Sequence, residues 1–148
     1  MEGNTTLRGL YKAAKGGLEV KEIKFRAWLK PSKKLCNVLS IHFGKKSLTI
    51  SVQDGAGKTW FSLDNENAEV MQYTGLKDKN GVEIYEGDIC RYNLDNSLHI
   101  VEFINNHWSA FCFIELATQE CNHLYEFDDF EVVGNIYESP ELLKGDKE

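Results

Sequence analysis

The chain lacks the features that would place it in a membrane or outside a cell. Its hydrophobic runs all fall short of the about 18 residues that a membrane-spanning helix requires. Its four cysteines show no CxxC spacing, and no leader of charged, apolar and small residues precedes them. We therefore expect reduced thiols in a cytoplasm and no contact with a membrane.

The sequence also lacks the motifs of the common catalytic and nucleotide-binding sites. It contains no P-loop, no GxGxxG and no nucleophile elbow. Cys121 and His123 lie close together, with His107 and Cys112 before them, but this spacing is not that of a zinc ribbon or finger. Core thiols beside a surface imidazole explain the same residues. The sequence therefore predicts no metal, no cofactor and no enzymatic activity.

Proline is scarce, with 2 residues against 12 glycines, and no segment has the composition of a linker between domains. A chain of 148 residues is long enough for one domain, which buries roughly 70% of its unfolded surface. Three parts are predicted. Residues 1–20 are an extension that is either flexible or a short helix, residues 21–143 form a single β-rich domain, and residues 144–148 form a flexible tail.

Apolar and polar residues alternate along several segments, which is the pattern of half-buried strands. From Ile23 to Lys30, apolar residues occupy the odd positions, and charged or aromatic residues occupy the even ones. Further strands are predicted at residues 35–43, 48–52, 59–61, 98–104, 107–116, 123–127 and 130–137. Gly134 is a candidate bulge in the last of these strands. The predicted fold is mainly β (β-rich α+β), a small barrel-like or strongly bent antiparallel sheet. Ser139 and Pro140 predict the start of a short C-terminal helix.

The stretch from Met71 to Tyr92 contains two predicted corners of the sheet. Asn80-Gly81 is the dipeptide most typical of a tight primed turn, because Gly has no Cβ and Asn tolerates a positive φ. Gly87 and Asp88 form the second corner, before an apolar strand. These four residues are therefore assigned structural roles in turns.

Three motifs in this order resemble the YopX family of phage and prophage proteins. They are Ile23–Trp28, Gln72–Asp88 and Val132–Glu138, and the resemblance covers about residues 21–143. It implies a mostly β protein that is encoded by a bacteriophage or prophage and stays in the host bacterial cytoplasm. It implies no activity that can be transferred to residues of this chain.

Charge is divided unevenly along the chain, whose net charge is −6. The first 46 residues contain 11 Lys and Arg against 3 Glu, and the remainder contains 6 against 20 acidic residues. A basic beginning and an acidic body attract each other, within one chain or between copies in an oligomer. The candidate interaction surface that follows from this pattern contains Lys24, Arg26, Trp28, Lys30, Lys33 and Lys34.

The predicted strand at residues 107–116 is apolar on both faces. Such a strand is either central to the fold or covered by a subunit contact, so Phe111 and Phe113 join the candidate surface. These features predict a non-enzymatic binding module that associates with itself or with a phage or host protein. The alternative is a weak nucleic-acid-binding module in phage gene control or replication, in which the hairpin at Lys24–Lys34 tracks phosphates and Trp28 stacks a base. A solvated surface without function explains the same charges.

Overall fold

The structure, a computed structural model, describes residues 22–55, 57–105, 110–123 and 129–144. Within these ranges the chain forms eleven β-strands and two short 3-10 helices. The strands are β1 (Phe25–Leu29), β2 (Lys34–Phe43), β3 (Leu48–Asp54), β4 (Gly57–Ser62), β5 (Ala68–Lys77), β6 (Glu83–Tyr85), β7 (Asp88–Tyr92), β8 (Leu98–Ile104), β9 (Ala110–Glu115), β10 (Cys121–His123) and β11 (Phe130–Asn135). The 3-10 helices cover Leu63–Asn65 and Pro140–Lys144. The predicted N-terminal helix and the tail beyond Lys144 lie outside the described residues.

The strands form two antiparallel sheets, which confirms the predicted mainly β fold. The first sheet has six strands in the order β4-β3-β2-β1-β5-β6, and the second has five in the order β10-β9-β8-β7-β11. Most neighbours are consecutive along the chain. The exceptions are the pairs β1–β5 and β7–β11, which join segments that are distant in the sequence. Neither described helix is long and apolar enough to cross a membrane.

Each sheet has an apolar core of its own. In the first sheet, the odd positions of β1 place Ala27 and Leu29 in the core, where both are fully buried. In the second sheet, Phe113 of β9 stacks on Phe130 of β11 with ring centroids 3.9 Å apart. Burial of an aliphatic or aromatic side chain of this size stabilises the fold by roughly 1.5–3 kcal/mol.

A third cluster lies where the two sheets meet. Met71 and Tyr73 of β5 and Tyr85 of β6 are buried there. Trp28 of β1 packs against this cluster and stacks on Tyr137, which follows β11, with centroids 5.8 Å apart and ring planes 12° apart. The even-numbered face of β1, which the sequence pattern placed at the surface, is therefore covered by residues of this junction.

Gly87 makes the corner at which the sheets join. Its φ of 80° lies in the left-handed region, which L-residues with a Cβ rarely adopt. Its N–H donates to the Val101 carbonyl at 2.8 Å, and its own carbonyl accepts the Ile136 N–H at 2.9 Å. A Cβ at this position would lie 3.5 Å from the Met71 sulfur, so the corner fits closely into the junction.

The turn at Asp78–Gly81 differs from the primed turn that the sequence predicted. Gly81 has a φ of 83°, but Asn80 is not among the residues with positive φ, whereas a type I′ turn needs both. The Gly81 N–H donates to the Asp78 carbonyl at 3.0 Å, which closes a turn with Lys79 and Asn80 at its centre. This is a type I turn followed by a left-handed glycine, and Asp78 at its first position favours that geometry.

The strand boundaries agree with the sequence prediction where the periodicity is strong. β8 covers Leu98–Ile104, as predicted. The pairing of β11 with β7 shifts between Val132 and Gly134, where the sequence indicated a bulge. Parts of the two predicted strands around β9 and β10, residues 107–109 and 124–127, lie outside the described ranges.

Candidate functional site

The basic hairpin that the sequence offered as an interaction surface is largely neutralised. Four of its cations form ion pairs with acidic residues from elsewhere in the chain. The pairs are Lys24 with Glu83, Arg26 with Asp88, Lys30 with Glu69 (2.7 Å), and Lys34 with Asp54 (3.3 Å). Lys33 is exposed in the turn. Lys33 forms no ion pair among the described residues, and Trp28 is stacked on Tyr137, so most of the charge and the ring of this hairpin already have partners within the chain.

Arg26 and Asp88 form a buried ion pair between the two sheets. Their side chains are 12% and 1% exposed. The second carboxylate oxygen of Asp88 accepts the Tyr85 N–H at 2.8 Å, and the Arg26 guanidinium lies 4.6 Å from the centroid of the Tyr85 ring. Burial raises the pKa of Asp88 against the opposing attraction of Arg26. The pair joins β1 to β7 and is too enclosed to meet a substrate.

Glu83 is held as a carboxylate by two donors. Lys24 and the Tyr85 hydroxyl both donate to it, the latter at 2.9 Å. The hydrogen bond from Lys24 is the main cause that lowers the pKa of Glu83, and burial raises the pKa of Tyr85 to about 12. A general acid or base at neutral pH needs a pKa closer to neutrality, so these groups are structural.

Asp78 caps backbone groups from two elements. Its carboxylate accepts the N–H groups of Asn80 and Val82 in its own turn and of Val132 in β11. Burial would raise the pKa of Asp78, but these three backbone hydrogen bonds outweigh it and the net shift is downward. The Asp78 carboxylate therefore has a structural role, because it joins its own turn to β11.

Ser97 and His99 make a contact that the sequence scan did not predict. The Ser97 hydroxyl lies 2.8 Å from His99 Nε2 and 2.6 Å from the Asp95 carboxylate. The hydroxyl has one proton, which the ionised Asp95 accepts, so His99 Nε2 must be the donor to Ser97. A catalytic serine requires the opposite arrangement, in which the imidazole accepts the hydroxyl proton. The three residues are therefore a structural chain.

The two buried cysteines of the second sheet, Cys90 and Cys112, are also unsuited to nucleophilic chemistry. Burial raises the pKa of Cys90, and burial together with a hydrogen bond to the Cys121 thiol raises the pKa of Cys112 to about 12. A protonated thiol is a poor nucleophile and a poor metal ligand. The strand register places His123 opposite Cys112. In the described part of the chain, no three His, Cys, Asp or Glu residues are arranged as a metal site.

Phe111 and Phe113 do not form an exposed surface together. Phe113 is 1% exposed and belongs to the core of the second sheet, so its assignment to an interaction surface is wrong. Phe111 is half-buried and packs edge-on against Phe103 at 5.2 Å. β9 lies between β8 and β10, so it is an interior strand of its sheet, in agreement with the first of the two interpretations of its apolar pattern.

A groove of about 580 Å³ lies beside the second half of β2. Its walls come from residues 23–25 at the start of β1, from residues 37–41 and Phe43 of β2, and from Glu83 and Tyr85 of β6. β1 pairs with β2 only as far as Asn37, so beyond that residue β2 has a neighbour on its β3 side and no described strand on the other. The groove occupies the space where the sheet opens.

Exposed apolar side chains surround this groove. Ile23, Leu39 and Phe43 are 72%, 51% and 85% exposed. The Lys24–Glu83 ion pair lies in the groove wall. The sequence predicted β2 but not the groove, because the alternation within one strand does not show where its neighbour ends.

The fold and this groove define a two-sheet antiparallel β protein with an open-edged apolar surface. The chain belongs to the YopX family, since the family model described as YopX protein matches residues 24–144. The crystal structure of protein EF1440 from Enterococcus faecalis is similar, with 31% identity, a TM-score of 0.59, and coverage of 82% of this chain and 98% of that one. The protein yopX from Bacillus subtilis shares the fold at 20% identity, with a TM-score of 0.55 and coverage of 84% and 98%. A comparison with curated proteins found no match.

Proposed function

We propose that the protein is a non-enzymatic binding module that associates with copies of itself through the groove beside β2. The open edge of Val38–Phe43 carries the proposal, because an unpaired strand edge presents N–H and C=O groups to another strand. Leu39 and Phe43 lie along this edge with exposed side chains. Pairing of the edge would satisfy the backbone groups and bury both side chains at once.

A second copy of the chain is a suitable occupant by symmetry. Two β2 edges related by a two-fold axis run antiparallel, and each contributes the same residues to the contact. The Lys24–Glu83 pair in the wall carries no net charge into such an interface. An interface of this kind therefore does not bury an unpaired charge from that wall.

The family placement supports a phage or prophage accessory protein that works in the host bacterial cytoplasm. The non-enzymatic part of the proposal rests on how the reactive side chains are used. The carboxylates of Asp78, Glu83 and Asp88 serve the fold, and the buried thiols of Cys90 and Cys112 stay protonated.

Light scattering after size-exclusion chromatography tests the proposal. We expect a mass of at least twice the 16.9 kDa of one chain, at low and at high salt, because the contact is mainly apolar. Leu39→Asp places a charge in the groove and should give a monomer. Leu94→Asp is the matched control, since Leu94 is also exposed but follows β7, away from the groove. A wild-type monomer under every condition contradicts the proposal.

A further inference from the structure

The face of β2, β3 and β4 that points away from the core of the first sheet carries an aromatic side chain and a lysine. The pairings place Trp60 opposite Ser51 and Lys58 opposite Gln53, so both side chains lie on the face that points away from Ile50 and Val52 of the core. An aromatic ring and a cation therefore meet on a polar sheet face. The sequence scan assigned no role to either residue.

Trp60 is at the centre of an exposed aromatic and basic cluster. Its side chain is 52% exposed. The His42 ring lies 5.0 Å from it at 56°, and Lys58 Nζ lies 4.6 Å from the indole centroid. A large ring that remains exposed on a folded sheet, with its face turned towards a cation, is available for stacking.

Three lysines of the hairpins β2–β3–β4, of which Lys58 lies over the Trp60 ring, differ from the neutralised lysines of the hairpin at Lys24–Lys34. Lys45 and Lys46 are exposed in the turn between β2 and β3. Among the described residues, neither these two nor Lys58 forms an ion pair. The acidic residue between Ser40 and Ser62 is Asp54, which already pairs with Lys34.

We propose that this face, defined by His42, Lys45, Lys46, Lys58 and Trp60, binds single-stranded nucleic acid. A base stacks on Trp60, and the lysines contact the phosphates on either side of it. Lys58 lies over the ring face that a base would take, and its flexible stem allows the ammonium to move to a phosphate. A duplex keeps its bases stacked on each other, so the ring selects single strands.

Charge complementarity favours this occupant over an apolar protein segment. The polyanionic backbone matches three lysines without ion-pair partners among the described residues, and the neighbours of Trp60 on this face, Ser51 and His42, are polar. The proposal is independent of self-association, because the groove variant Leu39→Asp does not alter any of the five residues of this face.

Fluorescence anisotropy with labelled oligothymidylate at low ionic strength tests the proposal. Trp60→Ala should weaken binding about 10-fold, as expected for the loss of one base–aromatic stack. The double variant Lys45→Ala/Lys46→Ala should reduce the slope of log K against log salt by about 1.4, because each phosphate contact to a single strand contributes about 0.7. Lys33→Ala is the matched control, since Lys33 is exposed but lies in another turn.

Three outcomes would overturn the proposal. The first is no binding of the oligomer at low ionic strength. The second is binding that Trp60→Ala and the double lysine variant leave unchanged, which would place it elsewhere on the protein. The third is a change in this face's assignment. Tighter binding of a duplex of the same length would make it a duplex contact, and a change of oligomer mass in Trp60→Ala would make it a protein contact.

Discussion

At the scale of single residues, the acidic side chains of this protein serve the fold through partners that are distant in the sequence. Asp78 accepts the Val132 N–H from β11, and Asp88 accepts hydrogen bonds from Arg26 of β1. These hydrogen bonds fix the position of each carboxylate between two elements of the fold. Asp78 and Asp88 therefore have structural roles.

Gly81 should tolerate no β-branched residue, because its φ of 83° is unfavourable for a side chain with a Cβ. Apart from its chain neighbours, no described residue has an atom within 4 Å of the position of an added Cβ, so the expected loss comes from backbone strain and not from a clash. We expect Gly81→Val to lower the free energy of unfolding by roughly 1–3 kcal/mol, measured by urea denaturation.

Gly57→Val is the matched control for Gly81→Val. Gly57 is exposed in β4, has no positive φ, and a Cβ there would meet its nearest atom, the Asp54 carbonyl oxygen, at 3.6 Å. This variant should retain nearly wild-type stability. Equal stability of the two variants would show that Gly81 does not occupy the left-handed region.

His99 should make the stability of the protein sensitive to acid. It is buried against Phe113 and Phe130, and burial lowers the pKa of His99. Below the ordinary pKa of about 6.5, the unfolded chain therefore binds more protons than the folded protein. The free energy of unfolding should fall as the pH drops below this value, by at most about 1.4 kcal/mol per pH unit.

Urea denaturation between neutral and mildly acidic pH measures this effect. His99→Gln cannot be protonated and should show a shallower loss of stability over the same pH range. His42→Gln, which replaces an exposed imidazole, controls for the removal of a histidine as such. If wild type and His99→Gln lose stability with the same pH slope, another group causes the acid sensitivity.

At the scale of elements, β1 determines how the two sheets come together. Its odd face packs into the core of the first sheet, and its even face brings Arg26 and Trp28 to the junction. The alternation was visible in the sequence, but it was interpreted as a buried face and a solvated face. Burial of both faces depends on the second sheet, whose position no local pattern indicates.

Breaking the Arg26–Asp88 pair should lower the stability of the protein much more than breaking a surface ion pair. Asp88→Asn keeps an acceptor for the Tyr85 N–H but leaves Arg26 buried without a counter-charge. We expect it to lower the free energy of unfolding by roughly 3–5 kcal/mol, by denaturant titration. The double variant Arg26→Met/Asp88→Asn should lose much less than the sum of the two single variants.

Lys30→Ala is the control for this prediction, because it breaks an ion pair in which both side chains are about 40% exposed. Exposed pairs contribute roughly 0–1 kcal/mol, so this change should have a small effect. Similar losses in Asp88→Asn and Lys30→Ala would show that the inter-sheet pair does not hold the sheets together.

At the scale of the whole molecule, local features were predictable and long-range ones were not. The bounds of β8 and the bulge near Gly134 follow from alternation and from turn residues that are adjacent in the chain. The neutralisation of Lys24 by Glu83 and the groove beside Leu39 depend on strand order and on where β1 ends. The sequence therefore predicted a mainly β protein but placed its candidate surface on a hairpin whose cations are mostly paired within the chain.

The uneven charge of the sequence has a structural counterpart within the chain. Lys24, Arg26 and Lys30 of the basic beginning pair with acids that lie in the later, acidic part. This attraction within one chain is one of the two arrangements that the sequence allowed. Because these charges are paired within one chain, we assign self-association to the apolar groove. Self-association through this groove is the central claim for this protein.

Hydrogen exchange at the backbone amides of Val38–Phe43 tests that claim most directly. The amides that do not bond to β3 should exchange more slowly in concentrated than in dilute protein, because pairing between copies protects them. Leu39→Asp should remove this dependence on concentration, and Leu94→Asp should retain it. Exchange at this edge that is the same at every protein concentration would contradict self-association through β2.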